Sequence, residues 1–167
     1  MSPDSAKTGA SRLSDRDRLE ITAWLRDEIL ASLSPRPRSI AIFGSFAAGT
    51  LHEASDIDLL LAGDRIPRKP YERSRWFFPI HEKWQNLRIS RFPFAPRTLS
   101  PLILSEKGWL ESIGLRLSLS GCTWTLYDDG WLSTSLNESE EWIRKGLWHK
   151  ETLKHGGWVW IPSGDAA

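Results

Sequence analysis

The sequence lacks the residues that mark disulfide-stapled, zinc-binding and membrane-spanning proteins. Cys122 is the one cysteine among 167 residues, so no internal disulfide can form, and no zinc-type spacing links it to the four histidines. Such cysteine usage is typical of a reducing compartment. No apolar run approaches the roughly 20 residues that span a bilayer, and the N-terminal residues lack the apolar region of a signal peptide. We therefore expect a soluble, cytoplasmic protein that does not enter a membrane.

An excess of charge of either sign is also missing. Lys and Arg number 22 against 21 Asp and Glu, which gives a net charge of +1. This balance creates no global field that would attract nucleic acid, so any such contact would have to come from a local patch. At this length we expect a disordered polar tail over residues 1–14 and a single domain with one sizeable core over residues 15–167.

Tryptophan, by contrast, is abundant. The chain has ten, from Trp24 to Trp160. The indole buries a large apolar body when its N–H finds a partner, so we expect most of them to pack in the core. A base-stacking platform and a partner-protein surface are the alternatives. The aromatic tail at 156–162 is expected to be an edge strand or a segment that docks on this or another subunit.

Residues 39–61 carry the pattern around which the rest of the chain is organised. The pattern predicts an apolar strand over Ser39–Phe43, a turn at Gly44 and Ser45 that opens a short helix, and a second strand over Asp56–Ala62. Gly49 is expected to close the short helix. Glycine lets a ligand approach the backbone closely, and the N–H groups at a helix start favour an anion. The turn is therefore a candidate phosphate site.

Asp56 and Asp58 stand at the start of the second strand. Alternate residues of a strand share a face, so both carboxylates can point at one place. Two such charges 4 Å apart repel by about 4 kcal/mol at an effective dielectric near 20. The hard cation that binds one or two carboxylates together with substrate phosphates is Mg²⁺. The acidic pair is therefore a candidate metal site beside the phosphate site.

These residues also resemble a known signature. Gly44-Ser45 with Ala47 and Gly49, followed by Ser55-Asp56-Ile57-Asp58-Leu59, is similar to the motif of the DNA polymerase beta-type nucleotidyltransferase superfamily, and most of all to its minimal nucleotidyltransferase domains. The resemblance implies an α/β (α+β) fold in which helices flank a small mixed β-sheet.

The resemblance also implies an activity, the transfer of a nucleoside monophosphate from an NTP, expected to be ATP, to an unidentified acceptor. Asp56 and Asp58 would be the catalytic residues and hold Mg²⁺. Gly44, Ser45 and Ser55 would bind the nucleotide phosphates.

In one respect the sequence departs from that family. Many active members carry a third carboxylate on the neighbouring strand, and the strand predicted over Thr98–Leu104 has no acid. The alternative is therefore a weak or inactive module that binds a nucleotide or a partner protein, as an antitoxin does. Domains of the type resembled here often accompany HEPN-domain toxins, so such a protein is a candidate partner. Self-association and nucleic-acid binding stay open, and Asp128 and Asp129 are interpreted as turn residues.

Apolar periodicity and turn residues predict the elements around the central stretch. In chain order they are a helix to about Ser32 capped by Ser14 or Asp15, a helix over Tyr71–Leu87, a helix starting at Ser105, a strand over Cys122–Tyr127, and a last helix capped by Asn137 and running from Glu138 to about His155.

Overall fold

The computed structural model describes residues 13–52 and 54–164, and most of the predicted tail, residues 1–12, lies outside them. The helices are α1 (Asp15–Ser32), α2 (Gly44–Ala48), α3 (Pro70–Arg91), α4 (Glu106–Glu111), α5 (Ile113–Leu119) and α6 (Trp131–Arg144). The strands are β1 (Ser39–Phe43), β2 (Ile57–Ala62), β3 (Leu99–Leu104), β4 (Trp124–Tyr127), β5 (Trp148–Thr152) and β6 (Trp158–Pro162).

Four strands form a mixed sheet in the order β3-β2-β1-β4. Strand β1 is antiparallel to β2 and β4, whereas β3 is parallel to β2. The register sets Asp58 between Phe43 on one side and Ser100 on the other. Helices cover the sheet on both faces, which confirms the predicted α/β fold with a small mixed sheet flanked by helices.

The two faces of the sheet bury different sets of side chains. Ile42, Leu59 and Leu61 pack with residues of α1 and α3. Ala41 and Leu60 pack on the opposite face with residues of α4, α5 and α6. Because side chains alternate along a strand, Asp58 lies on the same face as Leu60. Full burial of one such side chain contributes about 1.5–3 kcal/mol, so the two cores hold β1 and β2 firmly in register.

Helix α1 begins where the sequence predicts it. The Ser14 hydroxyl accepts a hydrogen bond from the Asp17 N–H at 3.1 Å, and the Asp17 carboxylate accepts one from the Ser14 N–H at 3.1 Å. This reciprocal capping box satisfies two of the N–H groups that a helix start leaves open. Ser14, one of the two predicted caps, is therefore the helix cap, although it is also the last residue of the predicted tail.

Proline occupies a suitable place on the edge strand β3. The Thr98 and Leu104 carbonyls accept hydrogen bonds from the N–H groups of Ile57 and Gly63 on the β2 side. By alternation, Pro101 turns its backbone toward the free edge, where its missing N–H removes no ladder bond. The proline also makes this edge a poor template for a further strand.

The prediction for the last helix is wrong. Helix α6 starts at Trp131, seven residues before Glu138, and ends at Arg144, while Asn137 lies exposed within it. The Asp128 carboxylate accepts hydrogen bonds from the N–H groups of Leu132 and Ser133, both at 3.0 Å, and so caps the earlier start.

The chain also forms a hairpin where helix was predicted. Strand β5 begins soon after Gly146, which has φ +70°, and pairs with β6 in a separate two-stranded sheet. Of the two predictions for the aromatic tail, the strand is confirmed. This strand belongs to the separate two-stranded sheet and not to the main sheet.

Other differences concern boundaries. The helix predicted from Ser105 is two short helices that meet at Ser112. Helix α3 extends beyond the predicted Tyr71–Leu87, to Pro70 and Arg91, and contains Pro79. Within the described ranges no helix combines the length and apolar character needed to cross a bilayer.

Candidate functional site

Gly44 and Asp58 are in direct contact. The β1–β2 pairing places Phe43 opposite Asp58, and the next residue, Gly44, starts α2 with φ +68°. A Cβ built on Gly44 would lie 2.1 Å from Asp58 Oδ2, so no side chain fits there while the carboxylate keeps its position. The positive φ independently favours glycine. The turn and the strand predicted to share a site therefore meet.

The two aspartates interact with each other. Both are partly exposed, and burial together with the charge of Asp56 raises the pKa of Asp58 above its ordinary value. Within residues 13–52 and 54–164, neither carboxylate forms an ion pair with Lys, Arg or His. The pair is thus a local concentration of negative charge that lacks a cation from the described part of the chain.

The donor set suits a hard cation held in part by its substrate. Ser100 is the register partner of Asp58 on β3, and Leu99–Leu104 contains no acid. No group of three acidic, histidine or cysteine side chains that could hold a metal occurs among the described residues. Two carboxylates are nevertheless a sufficient protein contribution for Mg²⁺, which commonly keeps waters and binds substrate phosphates in its other positions. Asp56 and Asp58 therefore fit this ion.

The start of α2 is open to a ligand. Phe43 stands at the N-cap position and supplies no side-chain hydrogen bond to the first turn. The helix has only five residues, so its macrodipole is small, and an anion would be bound by individual N–H groups. Ser45 is half-buried in this turn, and Gly49 ends the helix with φ +72°, as predicted.

Ser55 holds the loop before Asp56 together. It is buried, and its hydroxyl accepts a hydrogen bond from the His52 N–H at 2.9 Å. The Ser55 N–H donates in turn to the His52 carbonyl at 3.0 Å. The Ser55 hydroxyl can still donate its own proton to a phosphate. The structure thus gives Ser55 a loop-closing contact beside its predicted nucleotide-binding role.

Arg18 supports the turn by contacting α2, and sequence reasoning did not identify it. Its guanidinium donates to the carbonyls of Phe46 and Ala47, in the last turn of α2, the latter at 3.0 Å. It also stacks over Trp124, with Cζ 4.7 Å from the ring centroid. The side chain is only 12% exposed. A basic residue 28 positions before its partner, on a helix rich in charges, gives no local signal of such a contact.

Asp128 and Asp129 have structural partners, as their interpretation as turn residues predicts. Burial alone would raise the pKa of Asp128, but hydrogen bonds from Ser39, Ser133 and Leu132 outweigh it and hold the pKa below its ordinary value. Asp129 pairs with Arg38 at 2.6 Å.

One cavity of the described chain lies away from these residues. It has a volume of about 450 Å³ and lies between α3 and β3, lined by residues that include Phe77, His81 and Ile103. None of the predicted site residues borders it. The candidate site lies instead where β1 ends and β2 begins, where the two carboxylates and the uncapped turn converge.

Residues 26–96 match the family model described as a nucleotidyltransferase domain. The comparison with curated proteins gives no match. Three solved structures are similar in fold. One is a toxin–antitoxin with AMP-PNP, with 15% identity and a TM-score of 0.45 over 80% of this chain and 90% of that chain.

The second structure is a mutant of the toxin–antitoxin MntA-HpeT, with 14% identity and a TM-score of 0.47 over 78% of this chain and 89% of that chain. The third is a putative nucleotidyltransferase from Sulfolobus solfataricus, with 19% identity and a TM-score of 0.38 over 62% of this chain and 84% of that chain. At these values the structural similarities carry no argument about activity.

Proposed function

We propose that this chain, whose residues 26–96 match the nucleotidyltransferase domain model, transfers a nucleoside monophosphate from an NTP, with ATP the expected donor, to an acceptor. The observation that carries the proposal is the contact of Gly44 with Asp58, 2.1 Å for a Cβ built on the glycine. It brings an open, uncapped turn and an acidic pair without a cationic partner to one point.

Each residue has a defined task in this proposal. Asp56 and Asp58 hold the divalent cation, expected to be Mg²⁺, which supplies charge neutralisation to the triphosphate when bound. Gly44 leaves room beside the turn for the Asp58 carboxylate, because it has no Cβ, and offers its backbone N–H to the phosphates. Ser45 offers its N–H and hydroxyl, and Ser55 keeps the loop before Asp56 closed.

The reaction is a displacement at the α-phosphorus. The oxygen of an acceptor hydroxyl forms a bond to that phosphorus, the bond to the oxygen bridging the β-phosphate breaks, and pyrophosphate leaves. The hydroxyl proton passes to solvent. The chain contributes positioning of the two reactants and of charge around the phosphates, which are the principal sources of catalysis in phosphoryl transfer.

A non-catalytic module is the second candidate, and one observation favours it. The described residues offer Ser100 and no acid beside Asp58 on β3. A hydroxyl is a weaker ligand for a hard cation than a carboxylate. Under this alternative the same surface binds a nucleotide without transfer, and the chain acts on a partner protein, as an antitoxin acts on a HEPN-domain toxin.

One experiment separates the two candidates. The protein is incubated with Mg²⁺ and each NTP labelled on the α-phosphate, in lysate of the cells that express it and with any protein encoded beside it. The double variant Asp56→Asn/Asp58→Asn is compared with Asp64→Asn, an exposed acid outside the site. Label on an acceptor with the native chain and Asp64→Asn, and none with the double variant, supports transfer.

Binding is measured in parallel. A nucleotide at 100 times its dissociation constant raises the free energy of unfolding by about 2.7 kcal/mol. Stabilisation by Mg-ATP without label on any acceptor supports the non-catalytic module. No label and no stabilisation, or label that survives the double variant, overturns the assignment of the site.

A further inference from the structure

The β5–β6 hairpin is an element that the proposed nucleotide site does not use. Among the strands of the described residues, Trp148–Thr152 and Trp158–Pro162 pair only with each other. The Trp160 indole N–H donates to the Ser118 hydroxyl on α5 at 3.1 Å, and the Ser163 N–H donates to the Leu147 carbonyl at 2.9 Å. A two-stranded sheet is marginally stable alone, so a hairpin that extends from the domain on such contacts requires a reason.

One face of the hairpin combines aromatic rings with a lysine. The register pairs Lys150 with Trp160 and Thr152 with Trp158, so all four side chains lie on the same face. Lys150 Nζ lies 4.1 Å from the Trp158 ring centroid and 5.1 Å from that of Trp160. We call this surface, together with Lys154 in the turn that joins the two strands, the aromatic-basic face.

Its inner and outer ends differ in exposure. Trp160 is anchored on α5, whereas Trp158 is 46% exposed and Lys150, Lys154 and His155 are all exposed. Part of the Trp158 indole stays open to solvent although Lys150 lies over its ring, whereas Trp84 and Trp109 are fully buried. The aromatic-basic face is therefore unlike the core tryptophans.

The charge of the hairpin selects the ligand. Residues 148–162 contain two lysines and two histidines against Glu151 alone. With neutral histidines, two lysines against one glutamate give +1, which equals the net charge of the whole chain. Neither Lys150 nor Lys154 forms an ion pair with a described residue. The hairpin thus carries two unpaired lysines and one excess positive charge beside the exposed ring of Trp158.

We propose that the aromatic-basic face binds single-stranded nucleic acid. A base stacks on Trp158, and the Lys150 and Lys154 ammonium groups contact the flanking phosphates. Every base has a ring face, so stacking with lysine contacts gives binding with little sequence preference. The ring faces of bases in a duplex are already stacked on one another, so a single strand is preferred. Asp56 and Asp58 take no part, and the inference therefore stands or falls independently of nucleotide transfer.

The test is fluorescence anisotropy with labelled 12-nucleotide RNA and DNA strands of one sequence and the matching duplex, at two salt concentrations. The variants are Trp158→Ala, Trp158→Phe and Lys150→Ala/Lys154→Ala. The controls are Phe78→Ala, which removes a 55% exposed ring elsewhere, and Lys107→Ala, which removes an exposed lysine elsewhere. Thermal melting of every variant shows whether the domain remains folded.

We expect the native chain to bind single strands more tightly than the duplex and more weakly as salt rises. Trp158→Ala should weaken binding roughly tenfold, and Trp158→Phe should recover part of that loss. The double lysine variant should weaken binding and flatten its salt dependence. Both controls should bind as the native chain does. A comparison of RNA with DNA then distinguishes the two sources of single strand.

Three outcomes overturn the proposal. The first is no binding of either single strand by the native chain. The second is binding that the Trp158 and lysine variants do not change while they remain folded. The third is binding of an acidic polypeptide, probed with polyglutamate, that depends on these residues when no oligonucleotide binds, which would identify the aromatic-basic face as a site for an acidic protein.

Discussion

Asp58 Oδ2 fills the space beside the Gly44 Cα, 2.1 Å from where a Cβ would lie. The position of each of these two residues therefore depends on the other. The carboxylate can stand over the turn only because the residue there has no side chain. The turn also keeps its open shape because Gly44 can adopt a φ of +68°, which residues with a side chain rarely do.

The first prediction concerns Gly44→Ala. The new methyl group would displace the Asp58 carboxylate and strain the backbone, so we expect a loss of more than about 1 kcal/mol in the free energy of unfolding. Stabilisation by Mg-ATP and any labelled transfer should also be lost. Denaturant melts with and without Mg-ATP measure both effects.

The matched control is Gly114→Ala in α5, where a Cβ would meet nothing within 4 Å. Alanine inside a helix is better by about 0.5–1 kcal/mol than glycine, so this variant should keep or gain stability and keep nucleotide binding. If Gly44→Ala binds Mg-ATP as well as Gly114→Ala does, the contact with Asp58 has no role in the site.

The second prediction follows from the raised pKa of Asp58. Burial and the charge of Asp56 disfavour the ionised form in the folded chain. A raised folded-state pKa gives stability that is complete below the unfolded value, near 3.8, and is lost as pH rises through the folded-state value. In the absence of metal, Asp58→Asn should therefore be more stable than the native chain at pH 7.

That advantage should shrink as the pH falls toward 4, where the native carboxyl takes up its proton. Denaturant melts at both pH values, in a chelating buffer, measure the difference. Addition of Mg²⁺ at pH 7 should stabilise the native chain and leave Asp58→Asn unchanged. A variant that is equally sensitive to Mg²⁺ would place the cation elsewhere.

The third prediction uses the register partner of Asp58. Adjacent strands lie about 4.8 Å apart, so Ser100→Asp would set a third carboxylate beside the pair. Without metal the added repulsion should lower the free energy of unfolding. With metal, Mg²⁺ affinity should rise about tenfold, or about 1.4 kcal/mol, and any transfer rate should rise with it.

Ser100→Asn is the control, since it has a similar shape and no charge. Calorimetric titration with Mg²⁺ compares the three proteins. Equal Mg²⁺ affinity for the aspartate and asparagine variants would show that Ser100 does not border the metal.

How well the sequence predicts a feature of this structure depends on how far apart in the chain the interacting residues lie. The α1 start and the apolar strands β1 and β2 follow from residues within a few positions, such as Ser14 with Asp17. The start of α6 does not follow from nearby residues in this way. Asn137 is a good cap by residue type, but the side chain that caps the helix belongs to Asp128, two residues before Gly130.

The candidate site divides in the same way. The pattern of glycine, serine and alternating aspartates is local and identifies Gly44, Ser45, Asp56 and Asp58. That Asp58 meets Gly44 is set by the β1–β2 register, which depends on which face each core buries. The contact of Arg18 with α2 arises only once α1 packs across the sheet.

The fourth prediction concerns Arg18. Arg18→Ala would leave the Phe46 and Ala47 carbonyls without their charged donor, and the site is mostly buried. We expect a loss of about 1.5–3 kcal/mol in the free energy of unfolding and weaker Mg-ATP binding, because α2 would no longer hold the turn. Arg18→Lys should recover part of both.

Arg16→Ala on the same helix is the comparison, since that side chain is 87% exposed. It should change stability by less than about 0.5 kcal/mol. If Arg18→Ala lowers stability yet leaves the dissociation constant of Mg-ATP equal to that of Arg16→Ala, Arg18 supports the fold and does not position the turn.

The most direct measurement is a crystal structure of the protein with Mn²⁺ and an ATP analogue whose α,β-bridge is methylene. Mn²⁺ replaces Mg²⁺ and can be located by its anomalous scattering. We predict one strong anomalous peak between the carboxylates of Asp56 and Asp58, with the triphosphate against the backbone of Gly44 and Ser45. A peak at any other place, or phosphates bound away from Gly44 with both carboxylates free of metal, would contradict the account.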